Sequence, residues 1–455
     1  MINSKREHFG SSFAFIMAMA GSAIGLGNIW RFPYVVGEHG GGAFIFAYLI
    51  CSALIALPCF ICESIIGRRA RKSVYNSFTT LAPGSKWRFM GLLSVLTAFI
   101  VVSFYCVVGG WSLDFLVRAL TGHLAPGNPD AATGIFSGMV SRTIEPIAMY
   151  IAFFGATAIV VSKGVKKGIE RFTKFTTPLL FALMVMMLIY SVSLPGSMAG
   201  VKYLIKPDMS KLDTAGWACA LGQAFFSMSL GMGTVLIYSS FMRKEDSLLQ
   251  GGIWTVISDS AFALIAAFAI MPAVFAAGLE PAAGPSLVYE TLPYIFAKMG
   301  AEAPVVSCIV TAVFFLAILM AALTSSISML EVCVEHAVEQ MGLKRVKAVA
   351  VIVLPVLMLG IPCVLSFGPL SGFKLFGLTV FDACDYLSSN VLMTLGAFAF
   401  TVFVGWRMKK ADVRDEFTNG GTLRFSGRIF NAMYFIIRWI IPPVILVIFF
   451  ANLIK

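Results

Sequence analysis

Hydrophobic residues run along this chain in long blocks rather than at the alternating spacing of a half-exposed helix or strand. Eleven apolar stretches are separated by short segments that hold most of the charged residues. A helix crosses the hydrocarbon core of a bilayer with about 20 apolar residues. The pattern therefore predicts an all-α polytopic membrane protein with eleven transmembrane helices, at about 12–36, 42–67, 89–119, 146–162, 173–193, 214–241, 251–277, 304–340, 348–367, 374–405 and 428–453.

Two of these stretches are interrupted near their middle by glycines and polar residues. The first contains SAIGLGN at 22–28 and the sixth contains SMSLGMGT at 227–234. Glycine weakens a helix, and backbone groups freed at membrane depth need partners inside the protein or a cavity. Two such interruptions at corresponding places in two halves of a chain indicate the binding site of a transporter. The less hydrophobic segment 284–299 is predicted to be a helical hairpin within a loop.

Composition supports a membrane protein and argues against nucleic-acid binding. Hydrophobic residues make up 58% of the chain and charged residues only 13%, a balance that soluble domains do not show. The net charge of +11 could suggest a nucleic-acid partner, but the basic residues lie in short loops between apolar spans. Most of the nine cysteines fall inside apolar stretches, so Cys59 and Cys62 are interpreted as small apolar helix residues rather than a redox pair.

The distribution of basic residues predicts the orientation. If the N-terminus is cytoplasmic, 24 of the 34 lysines and arginines lie in cytoplasmic loops, eight lie outside, and Arg31 and Arg438 lie within spans. Such an excess marks the cytoplasmic side. The first ten residues lack the features of a cleavable signal, so the first span is expected to be structural. Eleven spans then place the C-terminus outside.

Spans 1–5 and 6–10 form two sets that each open with an interrupted helix. Because five is an odd number, the second set begins on the opposite side of the membrane, as in an inverted repeat. We expect one membrane transporter domain over 1–455, with repeat one at about 12–193, repeat two at about 214–405 and an extra helix at about 428–453.

Several motifs resemble those of the neurotransmitter:sodium symporter family. Residues 21–34 (GSAIGLGNIWRFPY) and 40–44 (GGGAF) resemble its first-helix signature, and 222–233 resemble its sixth helix. Residues 284–293 and 323–326 are similar to its fourth outer loop and eighth helix. The overall likeness is to bacterial amino-acid transporters of this family, with the leucine-transporter fold. It implies a five-plus-five inverted repeat with discontinuous helices 1 and 6, and sodium-driven uptake across the bacterial inner membrane.

A zwitterionic amino acid needs donors for its carboxylate and acceptors for its ammonium group. By resemblance the carboxylate is bound by the amides of Leu26 and Gly27, at a helix N-terminus, and by the hydroxyl of Tyr105. The alternative for Tyr105 is a buried aromatic with an incidental partner. The ammonium would meet the carbonyls of Ala23, Phe226, Ser227 and Ser229. The side chain would be enclosed by Val101, Phe226, Ser229, Met232, Ser325 and Met329.

The methionines of this pocket favour hydrophobic or aromatic amino acids, including large ones. Met232 stands where relatives usually have an aromatic residue, and Met329 where a branched aliphatic is common. Methionine adapts to varied apolar shapes. No acidic residue is placed to receive the lone ammonium of a monoamine, so we expect a free carboxylate to be required.

Two sodium sites are implied by the same resemblance, since sodium prefers hard oxygen ligands. The first would use the Ala23 carbonyl, Asn28, Ser227, Asp259 and the substrate carboxylate. The second would use the carbonyls of Gly21, Ile24 and Ala321 with the hydroxyls of Thr324 and Ser325. Sharing the substrate carboxylate couples ion and solute reciprocally. Isolated membrane serines and threonines more often bond their own backbone, which is the alternative for Thr324 and Ser325.

Asp259 is a carboxylate in an otherwise apolar span, which indicates a functional site. Chloride-dependent relatives have an asparagine at this position and a serine where this chain has Ala263. We therefore expect Asp259 to supply the negative charge that others take from chloride. The same group could bind a proton once sodium leaves, which would give H⁺ counter-transport. The alternative is an aspartate paired structurally with a helix terminus.

Gate residues are also implied by resemblance. Arg31 and Asp385 match the outer ion pair of the family, while Arg6 and Glu339 match the inner pair, with glutamate in place of aspartate. At the inner gate Phe9 replaces a tryptophan and Phe241 a tyrosine. Gly168 and Pro178, with nine residues between them, resemble a fifth-helix motif that unwinds to admit water.

The sequence argues against two other classes of function, a channel and an enzyme. A channel would need a polar stripe along several helices, whereas polar residues gather here at the midplane. An enzyme would need a nucleophile or metal cluster, and the four histidines show no ligand spacing. The expected partners are an amino acid, Na⁺ and the lipid bilayer, with no nucleic acid.

Overall fold

The computed structural model describes residues 7–124, 126–279, 288–299, 304–421 and 427–454, with side chains described as far as residue 450. Over these residues the protein is built from helices, and its only β-bridge joins Leu375 to Leu378. In chain order the helices are α1 (Ser12–Ala23), α2 (Gly27–Glu38), α3 (Gly42–Ala70), α4 (Val74–Leu81), α5 (Arg88–Leu120), α6 (Pro129–Val140), α7 (Ile144–Ser162), α8 (Val165–Ser193), α9 (Met198–Ile205), α10 (Thr214–Ser227), α11 (Thr234–Ser239), α12 (Leu248–Ala276), α13 (Thr291–Met299), α14 (Pro304–Met341), α15 (Arg345–Leu365), α16 (Val380–Arg407), α17 (Lys410–Phe417) and α18 (Gly427–Phe450).

Both predicted helix interruptions are present. The axes of α1 and α2 differ by 50°, and Ile24 between them has an extended backbone with ψ of 100°. Between α10 and α11 the chain forms turns, with positive φ at Ser229 (53°), Gly231 (86°) and Gly233 (81°). Glycine adopts this conformation freely, whereas it is uncommon for serine. In the second interruption Gly231 and Gly233 therefore let the chain turn out of the helix, whereas in the first interruption the chain leaves the helix at Ile24.

The described residues contain nine uninterrupted helices that are long and apolar enough to cross a membrane, or ten spans when the broken pair α1–α2 counts as one. The short helices α10 and α11, which make up the sixth predicted span, are not among these ten. The predicted number of eleven transmembrane helices therefore stays a prediction.

Two predicted boundaries and one predicted loop differ from the structure. The span expected at 374–405 starts only at Val380, because Phe376 and Gly377 have positive φ and the Thr379 side chain caps the helix. The span expected at 173–193 starts earlier, at Val165, since a π-helical turn through Gly168 joins it. Of the helical hairpin expected at 284–299, residues 284–287 lie outside the described residues, 288–290 form a turn and α13 covers Thr291–Met299.

The centre of the bundle is formed by α5 and α14, which pack against each other along much of their length. The interrupted helix α1 lies against α8, α12 and α14. In the apolar windows of α15 and α18 only 33% of residues are buried, compared with 72% in α5. The span α5 is thus the most buried of the bundle, while α15 and α18 lie at its periphery.

The N-terminal segment is attached to loops on one face of the bundle. Glu7 accepts a hydrogen bond from the Val165 amide (2.5 Å), and the Phe9 amide donates to the Phe241 carbonyl (3.1 Å). The Ser12 hydroxyl donates to Asp246 (2.5 Å). We call this the N-terminal face. Two of the loops that are predicted to share the side of the N-terminus, those that hold Val165 and Asp246, make these contacts.

A crossing of two glycines seats the second interruption on α16. A Cβ on Gly231 would lie 1.9 Å from the Met393 carbonyl oxygen, and a Cβ on Gly396 would lie 2.0 Å from the Gly231 carbonyl oxygen. Real Cβ atoms do not approach other atoms so closely. The two backbones can therefore meet only because neither residue has a side chain.

Replacing Gly396 by alanine is expected to lower the free energy of unfolding by about 1–3 kcal/mol, because the added methyl overpacks this crossing. Thermal unfolding of the purified protein in detergent measures the effect. Gly222→Ala is the matched control, since a Cβ at Gly222 meets no described atom within 4 Å. Equal melting temperatures of the two variants would contradict the prediction.

Candidate functional site

The two helix interruptions meet in the middle of the protein. The Gln223 side-chain amide, on α10, donates to the Gly27 carbonyl at the start of α2 (2.8 Å). A Cβ on Gly27 would lie 3.0 Å from the Phe226 ring, so the backbone of one interruption lies directly on the aromatic ring of the other. This contact brings residues about 200 positions apart in the chain into one site.

The groups predicted to bind a carboxylate lie together. The Leu26 amide donates to the Tyr105 hydroxyl (3.1 Å), and Tyr105 is only 4% exposed. A Cβ on Gly25 would lie 2.9 Å from that hydroxyl and 2.5 Å from the Ser325 hydroxyl. The absence of a side chain at Gly25 therefore allows the α1–α2 interruption to approach α5 and α14. An amide and a hydroxyl at one point can both donate to an anionic group.

The predicted ammonium acceptors are carbonyls of the α10–α11 interruption and of the end of α1. The Phe226 carbonyl accepts a hydrogen bond from the Ser229 amide (3.1 Å), and the Ser229 carbonyl accepts one from the Thr234 hydroxyl (3.0 Å). Since a carbonyl oxygen has two lone pairs, each retains one for a further donor. Ala23 is the last residue of α1.

Asp259 is fully buried on α12 and receives donors on both carboxylate oxygens. The Asn28 side-chain amide (2.9 Å) and the Ser227 hydroxyl (2.6 Å) donate to Oδ1, and the Tyr48 hydroxyl (2.8 Å) donates to Oδ2. Hydrogen bonds to a charged acceptor are the condition on which a buried carboxylate is tolerated. These side-chain donors are not a helix terminus, so the structural alternative weighed for Asp259 does not describe its surroundings. The site gathers the side chains predicted for the first sodium ion.

The residues predicted for the second sodium ion also come together. The Thr324 hydroxyl lies 3.0 Å from the Ala321 carbonyl and 3.5 Å from the Ile24 carbonyl. The Ser325 hydroxyl lies 3.5 Å from the same Ile24 oxygen. Gly21 is adjacent, because a Cβ there would lie 3.5 Å from the Thr324 methyl. Local backbone bonding and the Ile24 carbonyl thus share the Thr324 hydroxyl. Four of the five predicted oxygens lie together here, namely the carbonyls of Ile24 and Ala321 and the hydroxyls of Thr324 and Ser325.

The side chains predicted to enclose the substrate are buried, with one exception. Val101, Ser229, Met232, Ser325 and Met329 are at most 3% exposed. Phe226 is half-buried, and the Arg31 guanidinium lies over its ring at 5.3 Å from the ring centre. Phe226 therefore lies at the end of the pocket that is next to Arg31.

The two predicted gate pairs are found in different situations. Arg31 and Asp385 interact electrostatically, but no ion pair within 4 Å joins them in the described structure, and Asp385 accepts from the Ser389 hydroxyl (2.9 Å). Glu339 accepts from the Ser73 amide (2.9 Å) and the Asn76 side chain (2.7 Å). Arg6, its predicted partner, lies outside the described residues.

An aromatic cluster closes the N-terminal face beneath the site. The Phe9 ring lies 5.8 Å from Phe15, 5.9 Å from Tyr238 and 6.3 Å from Phe241, in edge-on arrangements that aromatic rings favour. The two phenylalanines that replace polar aromatics of relatives thus pack against each other. We call Phe9, Phe15, Tyr238 and Phe241 the inner aromatic cluster.

An ion pair lies beside this cluster in the loop after α11. Asp246 accepts from Arg243 (2.7 Å) and from the Ser12 hydroxyl at the start of α1. Burial acts to raise the pKa of the Asp246 carboxyl, but the hydrogen bonds from Arg243 and Ser12 hold this pKa below its ordinary value. Asp246 therefore carries its charge at neutral pH and ties α1 to the loop.

Three side chains of the site were not found from the sequence. Tyr48 donates to Asp259, and Gln223 donates to the Gly27 carbonyl. Neither residue has a sequence signal that separates it from other buried polar residues. Glu63, on α3, accepts from the Gly231 amide (2.7 Å) and so holds the second interruption. A carboxylate inside an apolar span was the signal that identified Asp259, and it applies equally to Glu63.

The described residues contain no group of three or more histidine, cysteine, aspartate or glutamate side chains that could hold a metal ion. Cys59 and Cys62 are free, buried thiols. The ion sites expected here are built from amide, hydroxyl and carbonyl oxygens with one carboxylate, a donor set suited to a hard monovalent cation.

Comparison with known proteins gives a family and a fold. The model of the sodium:neurotransmitter symporter family matches residues 6–132 and 136–455. The protein named uncharacterized sodium-dependent transporter YhdH, from Bacillus subtilis strain 168, is 36% identical over 454 residues, covering 100% of this chain and 99% of its own. An uncharacterized sodium-dependent transporter of Haemophilus influenzae is 34% identical and covers 99% of both chains.

The crystal structure of MhsT in complex with L-phenylalanine matches with a TM-score of 0.89 and 39% identity, over 98% of this chain and 100% of that chain. At this identity and coverage the two chains share one fold. This confirms the expected all-α polytopic fold, a five-plus-five inverted repeat with discontinuous helices, apart from the number of helices. The exact limits of the two repeats stay predictions.

Replacing Tyr48 by phenylalanine removes the described donor to Asp259 Oδ2. We expect the sodium-free protein to lose about 1–3 kcal/mol of unfolding free energy, because a buried carboxylate oxygen is left without its hydrogen bond. Sodium bound at Asp259 should offset part of this loss. The melting temperature should therefore rise more in sodium chloride, relative to choline chloride, than it does for the wild type.

Tyr434→Phe is the control for this measurement, since the Tyr434 hydroxyl donates to the Gly405 carbonyl (3.0 Å), away from the site. Its melting temperature should respond to sodium as the wild type does. An identical sodium response of the two tyrosine variants would contradict a sodium site at Asp259.

Proposed function

The chain belongs to the sodium:neurotransmitter symporter family, and within this family we propose that it takes up a hydrophobic or aromatic L-amino acid together with Na⁺ by alternating access. The protein is a multi-pass, sodium-dependent membrane symporter of a transporter family rather than of an enzyme family.

One observation supports an amino acid as the solute: paired donors and free carbonyl lone pairs lie at the junction of the two helix interruptions. The Leu26 amide and the Tyr105 hydroxyl suit a carboxylate, and the carbonyls of Phe226 and Ser229 suit an ammonium group. In a zwitterionic amino acid the carboxylate and the ammonium group are attached to the same carbon atom, so it can use the donors and the carbonyl acceptors at once. MhsT, which has this fold, holds L-phenylalanine in its crystal structure.

The pocket supports an apolar side chain on that amino acid. Val101, Met232 and Met329 are buried apolar residues, and neither methionine is branched at Cβ. Flexible thioether side chains can adjust to aliphatic and aromatic groups of different shape. We therefore propose leucine-like and phenylalanine-like solutes, with tryptophan within the range.

Two sodium sites couple the ion gradient to the solute. In the first, Asn28, Ser227 and Asp259 would bind sodium together with the solute carboxylate, so each would raise the affinity for the other. In the second, the oxygens around Ile24 and Thr324 join α1 to α14, and sodium there would hold the inner half of the broken helix in place. Loss of this ion would release α1.

Asp259 supports transport without chloride. Sodium ions that accompany a neutral zwitterion bring positive charge into a low-dielectric centre, where an uncompensated charge costs several kcal/mol, about 3 or more. Asp259 supplies a negative charge at that place, with donors on both oxygens. After sodium leaves, the same carboxylate would take up a proton, and the empty carrier would return with H⁺.

We place the protein in the bacterial inner membrane with the N-terminus in the cytoplasm and the C-terminus outside. Two of the basic loops predicted to be cytoplasmic, those after α7 and after α11, adjoin the residues that bond Glu7 and Phe9, which supports this orientation. The inner aromatic cluster then closes the cytoplasmic side. At the outer gate no ion pair within 4 Å joins Arg31 to Asp385 in the described structure, so this gate is able to move. Closing one gate as the other opens is what alternating access requires.

Uptake by proteoliposomes, tested over the twenty amino acids, examines the proposal as a whole. We expect sodium-dependent accumulation of leucine, phenylalanine or tryptophan above the external concentration, because the ion gradient drives the solute. A channel would not concentrate the solute, and an enzyme would alter it. Accumulation of glycine or of a decarboxylated amine, with none of these three amino acids, would refute the proposed substrate class.

Replacing both Thr324 and Ser325 by alanine should lower sodium affinity and nearly abolish uptake, because two hydroxyl ligands of the second site are lost while its carbonyls remain. Sodium titration of uptake measures this. Ser326→Ala is the control, since the Ser326 hydroxyl bonds Thr157 (2.9 Å) and the Leu323 carbonyl outside the predicted site. Unchanged sodium dependence in the double variant would remove both residues from the site.

Replacing chloride by gluconate should leave wild-type uptake unchanged, because Asp259 already supplies the negative charge. The double variant Asp259→Asn with Ala263→Ser should acquire a chloride requirement, since it lacks that charge and gains a hydroxyl. Uptake in both media measures this. Strong chloride dependence of the unmodified protein would show that Asp259 is not the compensating charge.

A further inference from the structure

Two polar atoms in the core near the N-terminal face have no hydrogen-bond partner among the described residues. They are Oε1 of Glu331, on α14, and the hydroxyl of Tyr238, on α11. Both side chains are 0% exposed. Buried polar atoms in native proteins almost always have a partner, so each such exception calls for a ligand or water.

These two atoms share one environment. The helices α11 and α14 pack together, and the charged groups that act on the Tyr238 hydroxyl are Glu331 and Arg345. Arg345 is held from several directions: Nη2 bonds Glu331 Oε2, Nη1 bonds Glu335 (3.0 Å), and Nε donates to the Val161 carbonyl (2.8 Å). With its nitrogens engaged in this way, the guanidinium leaves Oε1 of Glu331 without a donor.

A row of polar side chains leads to this place from the proposed second sodium site. Ser325, Ser328, Glu331 and Glu335 follow one another at intervals of three, three and four residues, which places them on one face of α14. Ser328 donates to the Ser325 carbonyl (2.8 Å), and Ser22 donates to Ser328 (2.7 Å). Six residues at 1.5 Å each place Glu331 about 9 Å beyond Ser325 along the helix.

We propose that Glu331 Oε1 and the Tyr238 hydroxyl form a transient third sodium site, which receives the ion as it leaves the second site toward the N-terminal face. The site rests on the proposed function, since it needs sodium to travel this way. A carboxylate oxygen and a hydroxyl are hard ligands that suit sodium. Because Glu331 and Glu335 share the single guanidinium of Arg345, the group keeps one negative charge that the ion compensates. With only two protein ligands, water completes the coordination, which suits a site that must also release its ion.

The inner aromatic cluster covers this third site. The Tyr238 ring packs against Phe9 at 5.9 Å, and the Phe9 amide bonds the Phe241 carbonyl at the end of the same segment. Movement of the N-terminal segment would open the path from Tyr238 to the N-terminal face. The third site would be the last place that sodium occupies before it reaches the solvent. The affinity of this site for sodium would therefore set how strongly sodium on the N-terminal side slows the release of sodium from the protein.

Tyr238→Phe tests the site because it removes a hydroxyl that makes no hydrogen bond within the described protein. Ser239→Ala is the matched control, since the Ser239 hydroxyl is also 0% exposed and without a described partner. The measurement is uptake by proteoliposomes of uniform orientation. Two quantities are determined: the external sodium concentration for half-maximal uptake, and the internal sodium concentration that halves uptake.

We expect Tyr238→Phe to raise the inhibitory internal sodium concentration about fivefold, the effect of losing one ordinary oxygen contact. The external concentration should stay within about twofold, because the two proposed coupling sites are intact. Ser239→Ala should change neither value. Glu331→Gln should act in the same direction as Tyr238→Phe, and if that variant does not fold, the Tyr238→Phe result decides.

An unchanged internal value in Tyr238→Phe would show that the place holds water only and would overturn the proposal. Equal changes of the internal and external values would also overturn it, because Tyr238 would then act through the second site or the fold. Sodium-independent uptake by the wild type would instead refute the proposed function. The two failures are therefore distinguishable.

Discussion

The need to pair backbone groups that leave a helix at membrane depth organises this protein. Hydrocarbon offers no hydrogen bonds, so the groups freed at the two interruptions are held by side chains from other helices. Tyr105 receives the Leu26 amide, Gln223 donates to the Gly27 carbonyl, and Glu63 receives the Gly231 amide. The same interruptions leave donors and acceptors beside each other at the midplane. The solute and ion sites that we propose therefore lie where these two helices unwind.

The second constraint is charge. Asp259 is a fully buried carboxylate, and its two oxygens are bound by residues of α2, α10 and α3. A group of this kind is unfavourable in an apolar bundle unless donors or cations surround it. Here it joins the two halves of the fold through Asn28 and Ser227. The carboxylate that makes the centre of the bundle costly when empty is therefore the group that we propose for binding a cation.

The two ends of the pathway are built from different interactions, and this difference suits their movement. At the N-terminal face an apolar aromatic cluster around Phe9 is bordered by polar contacts such as that of Ser12 with Asp246. At the other end Arg31 lies over the Phe226 ring and apart from Asp385. In the transport cycle that we propose, packed rings would exclude water when closed, whereas a charge pair of about 0–1 kcal/mol would form and break with each cycle.

The sequence by itself determined the membrane class, the two helix interruptions and the carboxylate at Asp259. Long apolar stretches are what a membrane-spanning helix requires, and glycines or a carboxylate inside such a stretch are local exceptions that can be read from the residues alone. Motif likeness added the residues around them. The partners of these groups depended on the tertiary structure: Tyr48 and Gln223 are unremarkable in the sequence, and only packing of α3 and α10 brings them to Asp259 and Gly27. The same holds for the unpartnered oxygens of Glu331 and Tyr238. Hydrogen bonds between distant helices carry no periodicity along the chain, so no pattern of residues can reveal them.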